Sequence, residues 1–271
     1  MQCAGSTPRP PAIARDRLPL LRPAYLYAAL LDSAAADIEV DALHRRYLRQ
    51  VADHGGVLRS RAAVEALSRH AGGWRIAAGT AVLDAGIVVN AAGAWADAVA
   101  GLAGIAPVGL VPKRRTALLV APPDGMRPDD WPMAVDLDEQ FYLKPEAGQL
   151  LLSPADATPS APCDAQPEEL DVAICIDRIQ SAFDLPVRRI AHKWAGLRSF
   201  VADGCPVVGH DPQAPGFFWL AGQGGYGIQT APAMARTAAA LVLGRALPAD
   251  IAAEGVSAAA LAPRRAALAA Q

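Results

Sequence analysis

Gly196-Leu197-Arg198-Ser199-Phe200-Val201-Ala202-Asp203-Gly204 and, after a gap, Gly216-Phe217-Phe218-Trp219-Leu220-Ala221-Gly222-Gln223-Gly224-Gly225-Tyr226-Gly227-Ile228-Gln229-Thr230 decide how this chain reads. One arginine stands in an apolar segment. An apolar strand follows, runs into a glycine-rich turn and opens a helix. A lone charge in such surroundings needs a partner, and a guanidinium fork matches a carboxylate. Gly222-x-Gly224-x-x-Gly227 fits a dinucleotide fingerprint letter by letter. That fingerprint also needs a second parallel strand after the helix and an acidic residue about 20 positions on. Here the helix predicted over 230–243, with Thr230 as its cap, meets the stop Gly244-Arg245-Ala246-Leu247-Pro248, with little chain left for a strand. The turn therefore reads as a glycine-rich helix entry that touches a ligand, not as the start of a Rossmann unit. A tight turn without a ligand is the alternative; the entropy cost of so many glycines argues against it.

Composition bounds the rest. The 271 residues are 52% hydrophobic and 19% charged, with net charge −2. That is a globular chain with a real core, in one large domain or two small ones. Nothing in the charge points to nucleic acid or an anionic membrane. Cys3, Cys163, Cys175 and Cys205 form no C-x-x-C pair, so reduced thiols and a cytoplasmic location are expected. His44, His54, His70, His192 and His210 show no ligand spacing, and no metal site is expected. The N-terminus lacks the apolar core of a signal peptide. The stretch 87–111 is broken by Asn90, Asp97 and Pro107, so it is no membrane span.

Along the chain, residues 1–17 are Pro- and Arg-rich and expected to be disordered. An apolar run over 24–31 could be a strand. Asp41 looks like the N-cap of a helix carrying Leu43, Tyr47, Leu48 and Val51. Short strands are predicted over 57–59, 63–67, 74–78 and 81–83. Ile87 to Asn90 reads as a buried strand, turning through Ala91-Ala92-Gly93-Ala94-Trp95 into a helix over 96–102; taken alone, that piece is better explained by plain helix-on-sheet packing than by a ligand. Strands at 115–120, 140–143 and 149–152 and a helix over 164–183 form an antiparallel sheet with a cover. The fold class is α/β (α+β): a parallel layer, which the family resemblance given below implies is an incomplete Rossmann-type layer, plus an antiparallel-sheet substrate domain. The expected division is 18–108 with 195–271 for the first and 109–194 for the second.

Four segments in order carry a family resemblance: Val89-Asn90-Ala91-Ala92-Gly93-Ala94-Trp95, Phe141-Tyr142-Leu143-Lys144-Pro145, Trp194 to Gly204, and Gln223 to Thr230. Together they resemble the FAD-dependent D-amino-acid oxidase and dehydrogenase family, most nearly its D-arginine dehydrogenase branch. The resemblance runs from about Leu18 onward. It implies FAD held between the Rossmann-type layer and the substrate sheet. A D-amino acid would give its α-hydrogen as hydride, and the imino acid would hydrolyse to a 2-oxo acid and ammonia. A glycine or sarcosine oxidase is the alternative within the family.

Carried over by the same resemblance, Arg198 grips the substrate carboxylate, with Arg115 and Tyr142 as further contacts. Met133 lines the side-chain pocket. The Gly225 carbonyl accepts from the substrate amine and Gln229 completes that wall. Ala92, Gly93, Trp95, Gly222, Gly224, Gly225, Tyr226, Gly227 and Ile228 border the cofactor. The plainer readings are a solvated basic run for Arg115, a sheet aromatic for Tyr142 and ordinary core for Met133. No catalytic base is expected, because the cofactor supplies the chemistry. The family's nucleotide-binding strand–turn–helix takes roughly 30 residues or more. It does not fit in residues 1–17, so a truncated chain is expected, an inactive remnant or one that relies on a separate chain for that unit.

Overall fold

The computed structural model describes residues 7–269. The strands are β1 (Thr7–Arg9), β2 (Ala29–Leu31), β3 (Val64–His70), β4 (Gly73–Ala78), β5 (Ala81–Ala85), β6 (Val88–Asn90), β7 (Val111–Val120), β8 (Ala134–Val135), β9 (Tyr142–Glu146), β10 (Gln149–Ser153), β11 (Ile190–Phe200), β12 (Val207–His210) and β13 (Phe217–Ala221). The helices are α1 (Pro11–Arg17), α2 (Val40–Asp53), α3 (Ala96–Leu102), α4 (Glu169–Ala182), α5 (Gly227–Val242), α6 (Ala249–Ala253), α7 (Ala258–Leu261) and α8 (Ala266–Ala269). The described residues divide into two units, one built from residues 7–37, 114–159 and 163–197, the other from 38–113, 160–162 and 198–269.

The first unit holds an antiparallel sheet in the order β11-β7-β10-β9-β8. Its β9–β10 hairpin turns at Ala147 and Gly148, whose φ values of 48° and 76° are those of a two-residue type I′ turn. Register sets the faces: Leu118 faces Leu152, Val120 faces Leu150, and Leu152 faces Leu143. These side chains are fully buried beneath α4, which presents Val172, Cys175, Ile179 and Ala182 at helical spacing. Each large apolar side chain so buried stabilises by about 1.5–3 kcal/mol. Leu18 and Leu20 belong to this core. Residues 18–37 therefore fold with the antiparallel sheet, not with the Rossmann-type layer to which the sequence reading assigned them. Nor are residues 7–17 loose: β1 pairs with β2, and α1 starts at a proline suited to a helix's first turn. Residues 1–6, read from sequence as disordered, lie outside the described residues.

The second unit contains the meander β3-β4-β5 and a sheet ordered β12-β13-β6. β13 runs parallel to β6 and antiparallel to β12. Trp74, Phe217 and Trp219 fill the core against Ala96 and Ala100 of α3, whose small side chains let the helix lie close. Residues 57–59 form no strand. Asp41 lies inside α2 rather than at its cap, paired with Arg45 one turn on, while Glu39 at the N-cap makes no side-chain bond. The chain's last segment is tied down by two arginines. Arg264 reaches Asp211, and Arg265 holds Asp203 through two bonds of 2.7 Å.

Candidate functional site

Two turns leave the same end of the parallel pair β6–β13. Trp219 of β13 lies opposite Asn90 of β6, so the turn 91–95 and the turn 222–226 both follow the carboxyl ends of their strands. That end is where open α/β sheets bind ligands. Asn90 organises the first turn. Its buried Nδ2 donates to the Ala96 carbonyl at 2.8 Å, and its Oδ1 accepts from the Ala92 N–H. Gly93 is left-handed, with open space where a Cβ would stand, and Trp95 is exposed.

The second turn is docked on β11. The Gly224 N–H donates to the Ser199 carbonyl at 2.9 Å. A Cβ on Gly224 would lie 2.6 Å from the Phe200 ring, and φ there is +56°. Position 224 thus admits glycine on two counts. The ammonium of Lys113 lies over the same Phe200 ring, 5.1 Å from its centroid. Beyond it, Arg198 Nη1 lies 3.3 Å from the place a Cβ on Gly225 would take. The structure thus brings Arg198, Gly224 and Gly225 together. Arg198 is half-buried and makes no hydrogen bond or ion pair with any described residue.

Gly222 is buried, Gly227 is half-buried, and Gly225, Tyr226, Ile228 and Gln229 are exposed. α5 begins at Gly227, and Tyr226 occupies the N-cap without a side-chain bond. The expectation that Thr230 caps this helix is corrected. Thr230 lies a turn inside, its hydroxyl donating back to the Tyr226 carbonyl at 2.8 Å. The glycines let the helix start three residues early.

In the first unit, alternation separates neighbouring cations. Arg114 shares its face with Leu118 and Val120, whereas Arg115 shares the opposite face with Leu119, Leu151, Lys144 and Tyr142. Arg115 and Tyr142 therefore look out from the sheet face away from α4. Arg115 Nε donates to the Asp156 carbonyl at 2.7 Å. The basic run is no solvated face: Arg114 is 7% exposed, held by Asp171 and Glu168. Burial opposes the Arg114 charge, and the bonds from Asp171 and Glu168 outweigh it, raising its pKa. On the same face as Tyr142, Lys144 pairs with Asp37 and Glu146. Met133, one residue before β8, is half exposed, which rules out the plain-core reading.

Sequence reasoning did not single out Asn90, Phe200 or Lys113 as builders of the two turns. The polar residue ending an apolar strand was the available signal for Asn90. Nothing in the sequence signals that Phe200 packs on Gly224, a contact between distant positions.

The family described as FAD dependent oxidoreductase matches residues 8–241. A Bos taurus protein, FAD-dependent oxidoreductase domain-containing protein 1, is 27% identical over 177 residues, 59% of this chain and 36% of its own length. The chain thus spans about a third of that relative. Glycine oxidase from Geobacillus kaustophilus superposes with a TM-score of 0.75 at 22% identity, covering 92% of this chain and 66% of that one. L-proline dehydrogenase from P. horikoshii gives 0.73 at 19% identity, covering 95% and 68%. The structures share the fold, and the family match spans most of the chain: it belongs to the FAD-dependent oxidoreductases.

Proposed function

We propose that this chain is the substrate-gripping part of a FAD-dependent enzyme that oxidises the CH–NH2 group of D-amino acids, in the manner of D-arginine dehydrogenases. The observation that carries the reading is Arg198: half-buried, beside the glycine turn, and without an anionic partner among the described residues. A guanidinium there binds a carboxylate in two bonds.

The turns suit the flavin on an observation of their own. Gly224 and Gly93 are left-handed, and at Gly93 a side chain would stand in open space, so the backbone of that turn is open to close approach by a ligand. The amino end of the 16-residue α5 lies immediately after the turn, and a helix amino terminus favours an anion by roughly 0.3–2 kcal/mol. Ala92, Gly93, Trp95, Gly222, Gly224, Gly225, Tyr226, Gly227 and Ile228 are the residues that would hold the cofactor. FAD, when bound, supplies the acceptor for two electrons. Arg198 orients the carboxylate, and Tyr142 and Arg115 are assigned as its further contacts. The Gly225 carbonyl accepts from the amine, Gln229 borders it, and Met133 is assigned to the side-chain pocket. Loss of the α-hydrogen with its electron pair, and of an N–H proton, leaves an imino acid. Water adds to its C=N bond and ammonia departs, leaving a 2-oxo acid.

The same reading includes a nucleotide-binding strand–turn–helix seated on the outer edge of β6, supplied from a separate chain or another part of the protein. Ile87 and Val89, 42% and 44% exposed, support it, because apolar side chains on an open edge call for cover. A cytoplasmic setting belongs to the reading as well, supported by Cys175 and Cys205, which form no disulfide among the described residues. A glycine-oxidase-like activity is the second reading, favoured by the likeness to the Geobacillus enzyme.

The test uses FAD-loaded protein with D-arginine, glycine, sarcosine and L-proline as substrates. Losing one charged hydrogen bond costs on the order of 1.5–3 kcal/mol. Arg198→Lys should therefore raise KM for the preferred substrate about ten- to a hundredfold, with the flavin spectrum unchanged. An unchanged KM removes Arg198 from the site. Preference for glycine over D-arginine selects the second reading.

A further inference from the structure

Lys113, the third residue of β7, precedes two arginines in sequence and differs from both. Arg114 is held by Asp171 and Glu168, and Arg115 donates to the Asp156 carbonyl. Lys113 is half-buried, and among the described residues its ammonium meets no carboxylate and makes no hydrogen bond. What it meets is the face of the Phe200 ring, 5.1 Å from the centroid. A cation over an aromatic face is attracted by the ring quadrupole, and the attraction grows as water is excluded.

The ring so held belongs to the wall of the candidate site. Phe200 and Arg198 lie two residues apart on β11 and so share a face. A Cβ at Gly224 would come within 2.6 Å of Phe200 Cε1, so the turn lies directly on the ring. The Gly224 N–H donates to the carbonyl of Ser199, the residue between them. One residue on, Gly225 abuts Arg198 Nη1. Lys113, Phe200, the turn and Arg198 thus form one chain of contacts inside the second unit.

The kind of partner matters. A carboxylate would hold the Lys113 ammonium more firmly, since charge-assisted bonds are the strong ones. It would also bring a negative charge to Phe200, two residues or roughly 7 Å of strand from Arg198, in competition with any ligand carboxylate. A ring fixes the ammonium and leaves both cations unneutralised. We infer that Lys113 is a positioning residue of the Arg198 site: its ammonium pins the Phe200 ring, and the ring seats the Gly224–Gly225 turn against the guanidinium. The inference rests on the reading of Arg198 as the carboxylate grip.

The test measures the Kd of sodium propionate for the full chain through the shift of the Gly225 amide resonance. Arg198→Lys is the reference variant and should weaken binding. At the strength of a partly exposed cation–π pair, Lys113→Met should raise Kd about two- to fivefold. Lys113→Arg keeps a cation over the ring and should bind as the parent does. In a Phe200→Leu background, which has no ring to pin, Lys113→Met should change nothing. Should Lys113→Met fail to fold, Lys113→Gln takes its place with the same expectations. An unmoved Kd in Lys113→Met beside an effect of Arg198→Lys overturns this inference alone. So does a lack of recovery in Lys113→Arg. An equal rise with and without the Phe200 ring also overturns it, by putting the ammonium on the ligand itself. No saturable shift, or no effect of Arg198→Lys, removes the reading of Arg198 and this inference with it.

Discussion

Arg114 and Arg198 are two arginines on sheet strands, the first buried and the second half-buried, and their partners differ. Arg114 is met by protein carboxylates: Asp171 at 2.9 Å, Glu168, and Asp156 at 4.0 Å. Arg198 is met by backbone at Gly225 and by no carboxylate of the described chain. A buried charge is tolerated only with its counter-charge in place. Where the fold provides the counter-charge, the arginine is part of the architecture, here fastening α4 to β7. Where it does not, the arginine is left to a ligand. The comparison separates a structural cation from a binding one without reference to any relative.

Breaking the first arrangement should have the largest effect. Arg114→Leu strands Asp171 and Asp156 with no guanidinium, which for a buried pair costs about 3–5 kcal/mol. The urea midpoint should fall accordingly, while Arg198→Leu should change stability by less than about 1 kcal/mol. Adding Asp171→Leu to Arg114→Leu should recover part of the loss, since no orphan remains at that position. Equal losses for Arg114→Leu and Arg198→Leu would end the distinction.

A smaller effect is expected from the turn that holds Arg198 in place. Gly224→Ala forces a side chain into a left-handed position and 2.6 Å from the Phe200 ring. Such strain costs on the order of 1–3 kcal/mol. The turn should relieve it by moving off Phe200, so carboxylate binding should weaken along with stability. Phe200→Ala in the same background makes room for the methyl group. It should restore part of the binding without restoring stability, because a large aromatic has been lost. Carboxylate affinity read by calorimetry, beside urea unfolding, separates the two effects. Undiminished affinity in Gly224→Ala would detach the turn from the Arg198 site.

Much of this was legible in the sequence, for physical reasons. The hairpin at Ala147-Gly148 follows from local turn chemistry, and a helix within 164–183 from apolar period, although it begins at Glu169 and buries Val172, Cys175 and Ile179 while Leu170 is exposed. The glycine-rich entry to α5 was legible too, but not its starting residue. The expected Thr230 cap assumed a helix that begins where side-chain capping is available, whereas the glycines let α5 begin at Gly227 without one. Reading Lys113-Arg114-Arg115 as one basic run failed because a strand sends neighbours to opposite faces. The resulting burial of Arg114 depended on carboxylates more than 50 positions away. The placement of residues 18–37 failed similarly: Leu18 and Leu20 join a core assembled from distant segments, and no local pattern announces which layer an N-terminal segment will cover.

The smallest effect in the series tests the comparison by pH, through a third kind of arginine. Arg264 and Arg265 have carboxylate partners, as Arg114 does, but lie on the last segment of the chain. At Asp211, whose side chain is wholly buried, burial pushes the pKa up. Bonds from the Trp219 indole, the Gln213 N–H and Arg264 outweigh that and leave it lowered. At Asp203, the bonds from Arg265 lower the pKa, burial opposes them, and the net is again downward. A folded value below the ordinary 3.8 means stability that is present above that pH and is lost as pH falls through it toward the folded value. Unfolding free energy should therefore hold between pH 7 and 5 in this respect and decline below about 4, at about 1.4 kcal/mol per unit of depression. Asp211→Asn should lower stability at pH 7 and flatten the acid decline by on the order of 1 kcal/mol between pH 5 and 3. Arg198→Leu should leave the acid decline as it is, having no carboxylate partner to lose. If Arg198→Leu flattens the decline as much as Asp211→Asn does, a protein carboxylate serves Arg198 after all, and the case for a ligand there falls with it.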